Sequence, residues 1–297
     1  MSTNLAVFIF GFVSGFILLI SGNTLNFWLS ASNVNIESIG LFSLASAPYA
    51  LCFLWAPILD RFKIPFLSRI FGHRFSWIYL LQILLAISVY SLSLCSPEKN
   101  LYPLAILSFI VALIASTQDT AIGALRSQII KASDQGAVSG TYIFGYRVGM
   151  LISGSGAILL SSFIPFSYLY KAFAFIIITF PFLIHYSTSK AKLTTIYKTE
   201  KIDFSKGILS LGSWKLILYL VIFLILYRMP DNFINVMMNP FLLAKGFKTV
   251  EIATIGKFLG TISAIFGGFL ASFVMKKRSI ESSLIIFGII HGIAHIT

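Results

Sequence analysis

Apolar runs of about twenty residues recur along the whole chain. They fall at 5–28, 37–59, 76–95, 101–124, 138–161, 167–186, 214–239 and 251–275, and a ninth opens near 280 and is still running at Thr297. A helix needs about 20 such residues to cross a hydrocarbon core of about 30 Å, and inside that core its backbone must satisfy its own hydrogen bonds. The pattern predicts an all-α polytopic membrane protein with eight full transmembrane helices and part of a ninth. Composition excludes the alternatives. Of 297 residues, 57% are apolar and 11% charged, against roughly 25% charged in soluble domains, so a soluble enzyme or a disordered chain is ruled out. The net charge is +12, but the basic residues sit in short gaps between apolar runs. Nucleic acid, which needs a solvated basic face, is therefore not an expected partner, whereas membrane lipid is. The run that is unfinished at Thr297 reads as a truncated product, or as a half-protein whose missing helices a second chain supplies.

Orientation follows from the basic residues, which favour cytoplasmic loops. One set of gaps carries Arg61, Lys63, Arg69, Arg74, Arg126, Lys131, Lys190, Lys192, Lys198, Lys201, Lys206, Lys215, Lys276, Lys277 and Arg278. The opposite set carries Lys99, Lys171, Lys245 and Lys248. The N-terminus is thus expected in the cytoplasm. The longest gap follows the sixth run and is rich in Lys. Six helices, a long cytoplasmic linker and further helices make the layout of a two-bundle transporter: a six-helix bundle at 1–186, a linker at 187–213 and an incomplete C-terminal bundle at 214–297.

Trp28, Trp55, Trp77 and Trp214 lie at the ends of runs, where an interfacial aromatic belt places them. Cys52 and Cys95 form no CxxC pattern and read as apolar packing. His291 and His295 stand four apart, but a third ligand is not apparent, so no metal is expected. HExxH, GxSxG and Ser/His/Asp groupings at catalytic spacing are absent from the sequence, which argues against an enzyme.

Five charges fall inside the runs: Asp119, Arg147, Arg228, Asp231 and Lys257. Each costs at least about 2.5–3.5 kcal/mol at a helix centre, so each should face protein or water and find a partner. A rise of 1.5 Å per residue puts Asp119 and Arg147 in the cytoplasmic half and the other three in the outer half. Arg228 and Asp231 flank Pro230 on one helix face, as a self-neutralising pair or as part of a substrate or coupling site. Lys257 has no acidic neighbour in its run and calls for a partner on another helix or an anionic ligand. Asp119 either carries a proton by alternating between environments that hold and release it, or locks helices together in a fixed pair with Arg147 or Arg126. Gly11 and Gly15, Gly145 and Gly149, and Gly256 and Gly260 repeat at four-residue spacing and read as helix-packing devices.

Several stretches resemble the AmpG family of muropeptide permeases, a branch of the major facilitator superfamily. Ile39-Gly40-Leu41-Phe42-Ser43, Pro48-Tyr49 and Trp55-Ala56-Pro57-Ile58-Leu59-Asp60-Arg61 are similar to the second helix and its loop. Ser116-Thr117-Gln118-Asp119 resembles the fourth, and Gly145-Tyr146-Arg147-Val148-Gly149-Met150-Leu151-Ile152-Ser153-Gly154 the fifth. Tyr227-Arg228-Met229-Pro230-Asp231 and Gly256-Lys257-Phe258-Leu259-Gly260 resemble the seventh and eighth. Gly123 stands where relatives often carry a second acid. The resemblance implies a proton-coupled importer in the bacterial inner membrane, driven by the proton gradient without a cofactor, whose cargo is a small glycopeptide of cell-wall turnover; the alternatives are an inactive remnant or half-protein of such a permease, or a transporter of another organic anion or an acyl-CoA. It further implies that Arg147, Arg228 and Lys257 bind anionic groups of the substrate, while Asp119 and Asp231 carry the proton or pair with those bases.

Overall fold

Hydrocarbon leaves a backbone no water to bond with, so helices are the expected solution, and helices are what the chain forms. In a computed structural model the described residues are 2–99, 101–130, 132–190, 213–219, 221–223, 226–227, 246 and 257–296. They contain helices and turns and no strand. Six apolar segments among them are long enough to cross a membrane: Thr3–Ala31, Glu37–Leu54, His73–Ser93, Leu101–Ile129, Val138–Leu160 and Phe166–Ser189. These fall on the first six apolar runs of the sequence. The chain divides into two compact units, Met1–Lys198 and Thr199–Thr297.

In the first unit, α1 (Ser2–Leu18) packs most extensively on α9 (Ala132–Leu151). The reason is four glycines. A Cβ on Gly11 would strike the Tyr142 carbonyl oxygen, and one on Gly15 the Tyr146 carbonyl oxygen. Reciprocally, a Cβ on Gly145 would strike the Phe8 carbonyl and one on Gly149 the Phe12 carbonyl. The two backbones therefore touch, as small residues at four-residue spacing allow. Gly260 has open space around it among the described residues, and Gly256, its partner in the repeat, lies outside them. Phe16 anchors the same layer, edge-on to Phe173 and Phe180 at 5.3 Å from each. Both rings belong to α11 (Phe166–Lys190), which continues four residues beyond the run ending at 186.

The first span is not one helix. It pauses at residues 19–22 and resumes as α2 (Asn23–Ala31). Thr24 N–H bonds to the Leu19 carbonyl across the pause, and the buried Tyr170 hydroxyl donates to the Ile20 carbonyl at 2.7 Å. The fifth span is interrupted beside it: α9 passes through a π-helical turn, Ile152–Gly156, into α10 (Ala157–Leu160). The Thr24 hydroxyl donates to the Ser153 carbonyl there at 2.7 Å. Each interruption frees a carbonyl, and a buried side chain from a neighbouring segment takes it up.

The second span is broken as well. It runs through α3 (Ile36–Phe42), a 3₁₀ turn at Ser43–Ser46, α4 (Ala47–Leu51), another at Cys52–Leu54, and α5 (Ala56–Arg61). Pro48 and Pro57 sit in the first turns of α4 and α5, where a missing N–H costs no helical bond. After α6 (Leu67–Phe71), α7 (His73–Ser93) lies between α8 (Leu101–Ile129) and α11. Arg74 Nη2 pairs with Asp60 Oδ1 at 2.5 Å, closing the connection between the second and third spans. Phe163, Phe175 and Phe182 are among the large exposed apolar side chains, a surface suited to lipid.

The tryptophans divide. Trp77 Nε1 donates to the Phe62 carbonyl, and Trp214 is 75% exposed. Trp28 is 7% exposed and stacks on Phe166 at 5.9 Å. A belt position is thus corrected for Trp28, because the pause in the first span turns its ring into the bundle. Cys52 and Cys95 are both free and partly buried. In the second unit, α12 (Lys257–Lys277) is followed by α13 (Ile280–Ile296), while most of the run at 214–239 lies outside the described residues.

Glycine sites distinguish packing from propensity. Gly15→Ala is expected to lose about 1–3 kcal/mol through backbone displacement, whereas Gly123→Ala, with open space around it, gains helix propensity. Thermal melts of the purified protein in detergent check the pair. Tyr170→Phe keeps the ring but strands the Ile20 carbonyl, and should cost about 1–3 kcal/mol in the same assay.

Candidate functional site

The α1–α9 crossing does more than hold two helices together. It presses the face of α1 carrying Ser14 against the face of α9 carrying Tyr142 and Tyr146. Into the same place α8 brings Asp119, and α4 brings Tyr49. Three phenols, from Tyr49, Tyr142 and Tyr146, stand within electrostatic reach of the Asp119 carboxylate. Ser14 is 5% exposed. Its hydroxyl lies beside both Asp119 and Tyr142, short of a closed hydrogen bond to either. Asp119 Oδ1 is buried and likewise makes no hydrogen bond.

Neither fixed pairing open to Asp119 from the sequence is formed. The Arg126 guanidinium carbon instead sits over the Tyr142 ring, 4.2 Å from its centroid. Arg147 Nη1 approaches Met150 Sδ at 4.0 Å, and its Nε is buried without a partner. Arg74 with Asp60 is the salt bridge seen among the described residues. Asp119 is a carboxylate in an apolar bundle with cations nearby but none bonded to it.

On the same turn of α8, the Thr117 hydroxyl accepts a hydrogen bond from Trp55 Nε1 at 2.9 Å and itself donates to the Leu113 carbonyl. This holds the second span against the fourth just before Asp119. Gln118 is buried with Oε1 unpartnered, and on α7 the buried Gln82 has neither amide atom bonded. Gly123, one turn beyond Asp119, has open space around it.

Of the site residues read from the sequence, Asp119 and Arg147 belong to this first unit. Arg228 and Asp231 lie outside the described residues. Lys257 begins α12, but its side chain is outside them too. The His291 ring stacks on Tyr227 at 5.8 Å, and the His295 side chain is likewise not among those described. Sequence reasoning did not single out Ser14, Tyr142 or Tyr146, and read Tyr49 solely as part of a motif. The signal was present in the glycines. Gly11 and Gly15 pack on α9 opposite Gly145 and Gly149, and once the two repeats are set against each other, Ser14 comes beside Tyr142.

Chemically, a buried carboxylate without a bonded cation can exist in either protonation state, and phenols and a hydroxyl around it can hydrogen-bond a polar ligand.

A family model described as "Acetyl-coenzyme A transporter 1" matches residues 5–180. A transporter named AmpG 1 from Rickettsia bellii (strain RML369-C) is 46% identical, over 100% of this chain and 75% of its own. Its counterpart from Rickettsia conorii (strain ATCC VR-613 / Malish 7) is 42% identical over 98% of this chain and 73% of its own. The anhydromuropeptide permease of Escherichia coli (strain K12) is 29% identical over 96% of this chain and 57% of its own. These relatives are transporters and a permease, and their similarity spans 96% or more of this chain. A multi-pass helical protein with full-length similarity to such relatives is no enzyme; the chain belongs to the AmpG family of membrane transporters.

Proposed function

We propose that the protein imports anhydro-muropeptides into the cytoplasm across a bacterial inner membrane, coupled to the proton gradient, with its N-terminus on the cytoplasmic side. The observation that carries this reading is Asp119: a carboxylate whose Oδ1 is buried within the bundle and which forms no salt bridge among the described residues. A permanent ion pair would hold the group ionised and useless for carrying protons. The Escherichia coli relative, an anhydromuropeptide permease, supplies the class of cargo.

In this reading a proton from the outer aqueous phase neutralises Asp119, and its release to the cytoplasm resets the carrier. Arg147, Arg228 and Lys257 bind the carboxylates of the peptide moiety, and Asp231 shares the proton or pairs with Arg228. No cofactor takes part, because the proton gradient supplies the driving force. Lys190, Lys192, Lys198, Lys201 and Lys206 favour anionic lipid headgroups, which attract basic residues near the surface by about 1 kcal/mol each. The phenols of Tyr49, Tyr142 and Tyr146 present donors and rings to the sugar portion.

Labelled GlcNAc-anhydro-muropeptide offered to cells lacking their own permease tests the reading. Cells expressing this chain should accumulate the label, a protonophore should abolish accumulation, and Asp119→Asn should reduce it to background at unchanged membrane levels. Arg147→Gln should raise the half-saturating concentration. Uptake indifferent to the protonophore and to Asp119→Asn would overturn proton coupling, and no uptake despite full membrane levels would overturn the cargo assignment.

A further inference from the structure

Arg126 has two places to go. It stands seven residues after Asp119 on α8, two turns away on the same face and about 10.5 Å along the axis, within the combined reach of an extended guanidinium and a carboxylate. It instead lies over the Tyr142 ring of α9 at 4.2 Å from the centroid. Its charge still acts on Asp119 from there. We infer that Arg126 is a switched cation: it rests on the Tyr142 ring while Asp119 is protonated and moves onto the Asp119 carboxylate once the proton has left. The inference rests on Asp119 as the proton carrier and assigns the group that keeps its two states apart.

The physical argument is a comparison of partners. A neutral carboxyl offers a guanidinium little, and a ring face offers it cation–π attraction that grows when water is excluded. An ionised carboxylate in the same low-dielectric setting offers full Coulomb attraction and bidentate hydrogen bonding, which exceeds what the ring gives. Losing one proton therefore reverses the preference. Arg126 keeps its own proton throughout, and the proton that leaves Asp119 goes to cytoplasmic water. Among the described residues, no other group around Asp119 serves in this way. The helix α1 contributes Ser14, which does not titrate, and α4 contributes Tyr49. The helix α9 contributes Tyr142 and Tyr146, with Arg147 acting on Tyr146 and directed toward Met150. Arg126 acts through Asp119 and is a positioning residue.

Two substitutions should move the pH response in opposite directions. Tyr142→Leu removes the resting place, leaves Arg126 on Asp119, and should shift half-maximal uptake about one pH unit to the acid side. Arg126→Gln removes the cation that favours the ionised carboxylate, and should shift it about one unit to the alkaline side. The double variant should titrate like Arg126→Gln alone, because the ring acts only through the arginine. The same midpoints can be read without transport, from the protonated-carboxyl infrared band of the purified full chain that Asp119→Asn abolishes. Opposite shifts and a silent second substitution support the switch. Shifts in one direction, no shift, or a Tyr142→Leu effect that persists without Arg126 overturn it. Infrared midpoints that behave as stated in a protein whose uptake ignores pH would sink the coupling proposed above and leave the switch standing. pH-dependent uptake with unmoved midpoints would do the reverse.

Discussion

Backbone contact between the first and fifth spans is the constraint on which the bundle depends. Gly11, Gly15, Gly145 and Gly149 present no side chain at the crossing, so the helices approach to the distance of their carbonyl oxygens. Association of helices in lipid draws on such packing, since apolar surface gains nothing by leaving hydrocarbon for protein. The side chains between the glycines have no choice of neighbour. Ser14, Tyr142 and Tyr146 are held in one polar knot, and α8 closes it with Asp119. An apolar face of Leu or Phe at the same positions would separate the helices and scatter that knot. The proposed site is thus a by-product of the tightest packing in the molecule.

The architecture was largely legible in the sequence, for a physical reason. Twenty apolar residues in a row have few alternatives to a spanning helix, and six of the runs are met by six apolar helical segments long enough to cross a membrane. The interruptions were not legible. Residues 19–22 are as apolar as their surroundings apart from Ser21 and Gly22, and the freed Ile20 carbonyl in the pause is served by Tyr170, which arrives from the sixth span. The same pause explains Trp28, whose place at the end of a run suggested an interface and whose ring lies inside the bundle.

The site was half legible. A charge inside an apolar run is conspicuous, which is how Asp119 and Arg147 were found. Uncharged partners such as Ser14 and Tyr142 carry no such mark, since serine and tyrosine are ordinary constituents of spanning helices. The Asp119–Arg147 and Asp119–Arg126 pairings were reasonable from charge alone. They fail because sequence separation along a helix does not say where a guanidinium points, and a tyrosine ring on α9 competes for Arg126.

The carbonyl of Ile20 has a consequence for how the chain is made. Its donor, Tyr170, is 150 residues further along, and the Thr24 hydroxyl waits for an acceptor 129 residues away. While the nascent chain threads into the bilayer, the third and fourth spans can close on each other as a hairpin as soon as both are synthesised. The first span cannot be finished in that way. Its pause stays unsealed until the sixth has entered, so the bundle's earliest helix is the last to be completed, and an N-terminal fragment that stops short of Tyr170 is left with an open backbone group in lipid and is exposed to quality control.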